Sequence, residues 1–316
     1  MARCLVLGLL ALVLAIPAGR AGAQDLNELI TEVGEQYAIA YSSPFLHSFG
    51  PNANANMYST AHIPWRGLVF GVGVKVMGTH LSEDDQTFAS SVRDVDLGTF
   101  NSAFAGQTGD VYFSGPTIFG NTDTPGRVQG FVNGLEVFNT EGIPGIIETR
   151  WSPLVAPEAY LGGIFGLKAT VRYLPAISAG DLGETKYWGY GLQFSPNGLL
   201  PNLPIDVMAG FFTQEINVGT VYESTANTIF AGASKSFTLL TVYGGLATED
   251  SSMDVAYEYI HPTDSSLNTN IAFTIDGIQT TRMTLGLTLD ILAKLNLEVG
   301  LGNKMTTFSA GLMFGL

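Results

Sequence analysis

In the run RMTLGLTLDI, Met283, Leu285, Leu287, Leu289 and Ile291 alternate with Arg282, Thr284, Gly286, Thr288 and Asp290. Successive side chains of a strand point to opposite faces, so one face here is continuously apolar and the other small or polar. LNLEVGLG repeats the pattern, with Leu295, Leu297, Val299 and Leu301 opposite Asn296, Glu298, Gly300 and Gly302. LKATVRYLP sets Leu167, Ala169, Val171 and Tyr173 against Lys168, Thr170 and Arg172, and YWGYGLQF sets Trp188, Tyr190, Leu192 and Phe194 against Tyr187, Gly189, Gly191 and Gln193. The closing MTTFSAGLMFGL puts Phe308, Ala310, Leu312, Phe314 and Leu316 on one parity. A soluble sandwich also alternates. Runs of roughly 9–11 residues, however, suit tilted membrane-spanning strands. A polar or tiny opposite face suits a lumen.

The rest of the chain is compatible with that reading. Charged residues make up 13% and there are 38 glycines, as an all-β chain with many turns would have. The net charge is −14 and the cations are scattered, which argues against nucleic acid, whose phosphates require clustered Lys and Arg. Residues 1–23 have Arg3, an apolar run from Leu5 to Ile16 and a small-x-small site at Ala21-Gly22-Ala23, the pattern of a secretory signal peptide cut before Gln24. Removing Arg3 and Arg20 with it takes the charge from −14 to −16. Cys4, the only cysteine, leaves as well, so the exported chain can form no disulfide.

Residues 24–64 form a distinct segment. Leu26, Leu29, Ile30, Val33 and Tyr37 follow one face of a helix over 25–41, with Asp25 as N-cap and Glu28 three residues on. Pro44, Pro51 and Pro64 are expected to break regular structure beyond it. The segment can plug a barrel from within, with Leu29, Val33, Tyr37, Phe45 and Phe49 as anchors. Residues 65–316 read as the barrel. Strands are expected at 66–80, 152–164, 166–176, 185–195, 203–216, 219–235, 236–248, 251–261, 270–277, 280–292, 293–303 and 304–316. That makes twelve, within a range of ten to fourteen. Residues 81–150, rich in Gly, Asp, Asn, Ser and Thr, read as one long loop with short strand pieces.

Catalytic chemistry finds little support. His80, Ser82, Asp84 and Asp85 are near in sequence, but a nucleophile needs a base within hydrogen-bond reach and a third group to orient it. SEDD at 82–85 lacks the spacing of a calcium loop, and GVGVKVMG is followed by more alternation rather than by a helix. No catalytic residue, metal site or cofactor is assigned. Lys168, Arg172, Asp206, Glu258, Arg282, Asp290 and Glu298 fall on the polar parity and are the candidates to face the lumen, where pairing into a network is the favoured outcome.

Two stretches carry a resemblance, FGPNANANMYSTAHIPWRGLVFGVGVKV and GLKATVRYLPAISAGDLGETKYWGYGLQFSPNGLLPNLPIDVMAGF. They resemble an uncharacterised family of bacterial outer-membrane β-barrel proteins, whose layout is similar to that of the long-chain fatty-acid transporter family. The resemblance covers most of residues 25–316. It implies an antiparallel transmembrane β-barrel in the bacterial outer membrane, in contact with lipid and delivered by the barrel insertion machinery. Phe308, Leu312, Phe314 and Leu316 would carry the insertion signal. Passage of small solutes, hydrophobic ones among them, is the expected function. The alternative is a structural or surface-binding barrel, with 81–150 as the binding surface.

Overall fold

The computed structural model describes residues 23–97, 102–104, 106–178, 184–200, 202–259 and 268–315. The expected signal peptide falls almost wholly outside them, as do Leu316 and the side chain of Leu29. One helix, α1 (Ala23–Ala53), precedes strand β1 (Val69–His80). Four short strands follow: β2 (Thr87–Asp96), β3 (Thr108–Pro116), β4 (Arg127–Val132) and β5 (Leu135–Glu141). Then come β6 (Trp151–Ile164), β7 (Leu167–Ser178), β8 (Glu184–Phe194), β9 (Asp206–Val218) and β10 (Tyr222–Phe237). The last five are β11 (Leu240–Tyr259), β12 (Thr269–Asp276), β13 (Thr281–Asp290), β14 (Lys294–Gly302) and β15 (Thr306–Gly315).

Ten of these strands close into an antiparallel barrel, in the order β1-β6-β7-β8-β9-β10-β11-β13-β14-β15 and back to β1. The expected number was twelve, and the difference has two local causes. The stretches 236–248 and 251–261, read as separate strands, form the single 20-residue strand β11, because Glu249, Asp250, Ser251 and Ser252 continue the ladder instead of turning. The stretch 270–277 is β12, which pairs only with the second half of β11, while β13 pairs with the first half. β12 thus continues the line of β13 beyond the ten-stranded wall.

The outward parity is apolar and exposed all the way round. Val72, Val74 and Val76 of β1 continue into Phe308, Leu312 and Phe314 of β15, Leu297 and Leu301 of β14, and Leu285 and Leu287 of β13. Val171, Leu192, Phe211 and Ile229 carry the band across the opposite wall. Trp151, against His80 and Phe308, borders it at one end, and Trp65, against Phe165 and Phe194, at the other. An apolar belt with aromatic borders is the outer surface of a barrel that sits in a bilayer. The long strands β10 and β11 run on past this belt, where their outward residues turn polar at Glu223, Asp250 and Asp254.

Residues 81–150 carry short strand pieces, as expected, but these pair into a sheet of their own. The strands β2-β3-β4-β5 form a four-stranded antiparallel sheet at the end of the barrel where β1 stops and β6 starts. Its tightest turn is Asn133-Gly134, both at positive φ (49° and 79°), the requirement of a two-residue hairpin. The sheet covers the first part of α1. Tyr37 sits edge-on to Phe88 at 5.3 Å and tilted against Phe113 at 5.8 Å, and its hydroxyl accepts a hydrogen bond from the Ile143 amide. Burial pushes this phenol up to about 12 despite that bond.

The helix is longer than the expected 25–41, and Pro44 and Pro51 lie inside it. A proline ordinarily breaks a helix by removing an amide donor and crowding the previous turn. Here the helix enters the barrel, and side chains add bonds to the turns around the two prolines. The Ser43 and Ser48 hydroxyls donate to the carbonyls of Ile39 and Phe45, and the Pro51 carbonyl accepts from Arg282. Packing on every side, rather than local propensity, holds this helix.

Candidate functional site

The stretch PNANANMYSTAH, residues 51–62, is threaded down the barrel axis, and every one of its residues meets the wall. Its first eight residues, 51–58, are all buried. The three asparagines, two residues apart, reach three different parts of the wall. Asn52 donates to the Ser152 carbonyl at 2.7 Å and accepts from the Thr79 hydroxyl at 2.9 Å. Asn54 donates to the Asn227 carbonyl at 3.3 Å and accepts from Gln214 at 3.4 Å. Asn56 uses all four of its polar groups. Its amide donates to Glu298 Oε1 at 2.7 Å and its carbonyl accepts from Arg172 at 2.7 Å. Its side-chain oxygen accepts from Lys75 Nζ at 2.7 Å, and its side-chain nitrogen donates to Ser309 at 3.2 Å. Asn56 has φ of 54°, in the left-handed region that asparagine tolerates better than most residues.

The alanines between them leave room for the wall to reach the backbone. Arg172 donates to the carbonyls of Ala53 at 2.8 Å and Ala55 at 3.0 Å as well as Asn56, so one guanidinium caps the C-terminal end of α1. Those carbonyls have no partner within the helix, and a cation at that end is favoured by the helix dipole. Farther down, the Met57 carbonyl accepts from Gln193, and that of Ser59 accepts from Thr288. Ser234 receives the Ala61 amide and lies 3.3 Å from the Thr60 hydroxyl. The Tyr58 ring stacks on Phe230 and meets Tyr243 edge-on, both at 5.3 Å. It fits only because Gly232 and Gly245 face it, since a Cβ on Gly245 would collide with its oxygen. His62, the last contact, lies 3.1 Å from Asp206 at the rim.

The wall around this segment is ionic but balanced. Among the described residues, Lys75, Arg172 and Arg282 are the buried cations, and Glu158, Glu249 and Glu298 the buried anions. Arg172 bonds Glu158 at 2.9 Å, Lys75 lies 3.9 Å from the same carboxylate, and Arg282 bonds Glu249. Glu298 is held by the Asn56 amide and the Tyr243 hydroxyl. Charges out of water must be paired or hydrogen-bonded; five of these six stand in ion pairs, and Glu298 is held by hydrogen bonds.

Of the residues singled out in the sequence, Arg172, Arg282 and Glu298 stand in this network, and Lys168 faces the barrel interior below it. Asp206 and Asp290 line the rim where β9 begins and β13 ends. Glu258 does not face the lumen. It is exposed on the outward parity of β11, because inward residues there are odd-numbered from Tyr243 to Tyr257. Among the plug anchors, Phe49 and Val33 are buried and Phe45 is partly buried against Phe119 and Tyr222. Tyr37 packs on the four-stranded sheet, outside the ten-stranded wall, and Leu29 has no described side chain. The apolar stripe therefore docks the upper helix, and the polar stretch after it fills the lumen. Phe308, Leu312 and Phe314 stand exposed in the outer belt. Lys75, Glu158, Glu249 and Gln214 were not anticipated, although the first three sit on the polar parity of their strands.

Fold and site together define a class, a barrel of the outer-membrane type whose lumen is filled by its own N-terminal segment. The chain belongs to a family of unknown function, DUF6588, whose model matches residues 1–316. No curated protein matches the sequence. Among solved structures, it is similar to the trimeric outer-membrane protein OmpT of Vibrio cholerae, at 11% identity over 79% of this chain and 99% of that one, with a TM-score of 0.26. TodX, a monoaromatic hydrocarbon channel, gives 10% identity over 87% of this chain and 97% of that one, with a TM-score of 0.27. OprB of Pseudomonas putida gives 10% over 79% and 93%, with a TM-score of 0.20. Likenesses this loose do not bear on activity.

Proposed function

We propose that the protein is an outer-membrane channel for small solutes, hydrophobic ones among them, held shut by residues 51–62. The barrel ends fit a bacterial outer membrane, where turns on the periplasmic side are short and those outside long. The short connections at 165–166, 238–239 and 291–293, with the longer one between β8 and β9, then face the periplasm, and the sheet of 87–141 faces outward. The apolar belt contacts lipid, and β15, which closes the wall, is the strand the insertion machinery reads.

The observation that carries a gated reading is the chemistry of the seat. A permanently filled lumen is at least as stable with apolar packing as with buried ion pairs. Side chains such as Lys75, Arg172, Glu158 and Glu298 suit a space that is filled in one state and wet in another. They bond the segment when it is in place and are hydrated when it leaves. The second reading, a structural or surface-binding barrel, draws on the outer sheet that α1 packs against. Uptake of small solutes of graded polarity by proteoliposomes separates the two. The channel reading expects solute entry above empty liposomes, and greater entry when residues 24–61 are deleted. Impermeability of both forms to every solute would leave the second reading.

A further inference from the structure

A cavity of about 370 Å³ lies below the threaded segment, between residues 57–64 and the wall, at the rim where β9 begins and β13 ends. That volume is at the small end of the range for ligand sites. Its apolar side is formed by Met57, Ile63, Val69, Met313 and the ring of Tyr160. Its polar side holds three lysines and three carboxylates, and their pairing is uneven. Glu158 is taken by Arg172, with Lys75 3.9 Å away, and Lys75 also bonds Asn56. Asp206 accepts from Asn197 at 2.6 Å and lies 3.1 Å from His62. Asp290 faces Lys294 at 3.8 Å. Lys168 is the remaining cation. Its ammonium lies 5.3 Å from the Tyr160 ring centroid, and among the described residues no ion pair includes it.

We propose that this cavity binds a small organic monoanion, with its anionic group on Lys168 and an apolar body against Tyr160, Met57 and Met313. Glu158 and Asp290 already have cationic partners and Asp206 is held by Asn197 and His62, which leaves Lys168 as the one lining ammonium in no ion pair among the described residues. A monoanion neutralises it, and a charge-assisted bond out of bulk water is stronger than a neutral one. A dianion would have to face Glu158, Asp206 and Asp290 with its second charge. A neutral solute would leave Lys168 uncompensated. The inference rests on the channel reading only for the role of the bound anion as cargo.

The test is calorimetric titration of the folded full chain in non-ionic detergent with 4-phenylbutyrate, its neutral amide and 4-phenylbutylamine. The carboxylate is expected to bind about tenfold or more tightly than the amide, the scale of one charge-assisted contact, and the amine more weakly than either. Lys168→Gln should abolish the preference for the anion, Lys168→Arg should keep it, and Lys294→Gln, which removes an already paired cation, should change it less than about twofold. Equal binding of carboxylate and amide to the unaltered protein overturns the proposal without any variant. So does an intact anion preference in Lys168→Gln. Proteoliposome uptake of the same three compounds separates this claim from the channel reading. Preferential binding without uptake would leave the site and end the channel, and uptake without preferential binding would do the reverse.

Discussion

Replacing Arg172 with methionine tests how the lumen segment is held. The guanidinium bonds Glu158 at 2.9 Å, Gln214 at 3.1 Å, and the carbonyls of Ala53, Ala55 and Asn56 at 2.8, 3.0 and 2.7 Å. In Arg172→Met, Ala53 keeps its bond from Gln214, while the carbonyls of Ala55 and Asn56 lose theirs. Each orphaned buried acceptor costs about 1–3 kcal/mol. Glu158 keeps only Lys75 at 3.9 Å, and breaking a buried pair costs about 3–5 kcal/mol. Water reaching the vacated lumen offsets part of both. About 4 kcal/mol against the seated state is the expected net, close to a thousandfold in the seating equilibrium. Hydrogen–deuterium exchange reads it directly. Amides of residues 52–61 should lose about a thousandfold of their protection while those of β1 and β15 keep theirs. Arg172→Met combined with Glu158→Met should recover part of the loss, because the Glu158 carboxylate is no longer stranded, while Lys75 loses its ion-pair partner and the two carbonyls stay orphaned. Protection of 52–61 within about tenfold of the unaltered protein would refute the claim that Arg172 is a principal anchor.

Three further outcomes are expected. Gly245→Ala drives a methyl into the Tyr58 oxygen and the Ala231 carbonyl, so it should destabilise by about 1–3 kcal/mol and loosen residues 57–61 in the same exchange experiment. Val171→Arg puts a charge in the outer belt and should cost about 2–4 kcal/mol in folding into lipid vesicles, whereas Glu223→Arg, on the polar extension of β10, should cost under about 0.5 kcal/mol. Burial holds the His47 imidazole below its usual value, with Asp85 opposing. The unfolded chain then binds more protons, so the stability His47 contributes is present above about pH 6.5 and is lost as pH falls below it. Protection of α1 should decline from pH 7 to 5, and His47→Gln should flatten that decline.

The parts of this fold that were legible in the sequence depend on local periodicity. Alternation of the kind that starts at Met283 needs no partner to be seen, so the outer belt of Met283–Leu289 and Leu295–Leu301 could be read before any register was known. The helix at 25–41 was visible for the same reason, but its extension through Pro44 and Pro51 was not, because the barrel that holds those turns comes later in the chain. The run EDSS at 249–252 has turn composition, yet it lies in a strand beyond the apolar belt, where both faces are polar. In residues 81–150, Asn133-Gly134 between FV and LEV was an available hairpin signal for β4 and β5. The alternating asparagines of 52–56 were visible as a pattern without a meaning. Their partners, from Thr79 to Ser309, lie as far as 253 residues away. Arg172, Arg282 and Glu298 could be assigned to the inner face by parity, but which carbonyl or amide each would hold depends on the threaded segment.

Closure of the barrel by residues 51–62, as proposed, requires that they move for it to open. Ser48 and Ser152 have their hydroxyl oxygens 2.7 Å apart, and the only cysteine of the chain, Cys4, lies in the expected signal peptide. Ser48→Cys with Ser152→Cys therefore places one disulfide between α1 and β6, close to the spacing such a bond needs. It fixes the segment above its seat, while β1 already fixes it below. The deciding measurement is single-channel conductance of this variant in a planar bilayer, oxidised and then reduced in place. Silence in the oxidised state and discrete openings after reduction are the expected result. Openings of equal size and frequency in both states would contradict the proposed closure.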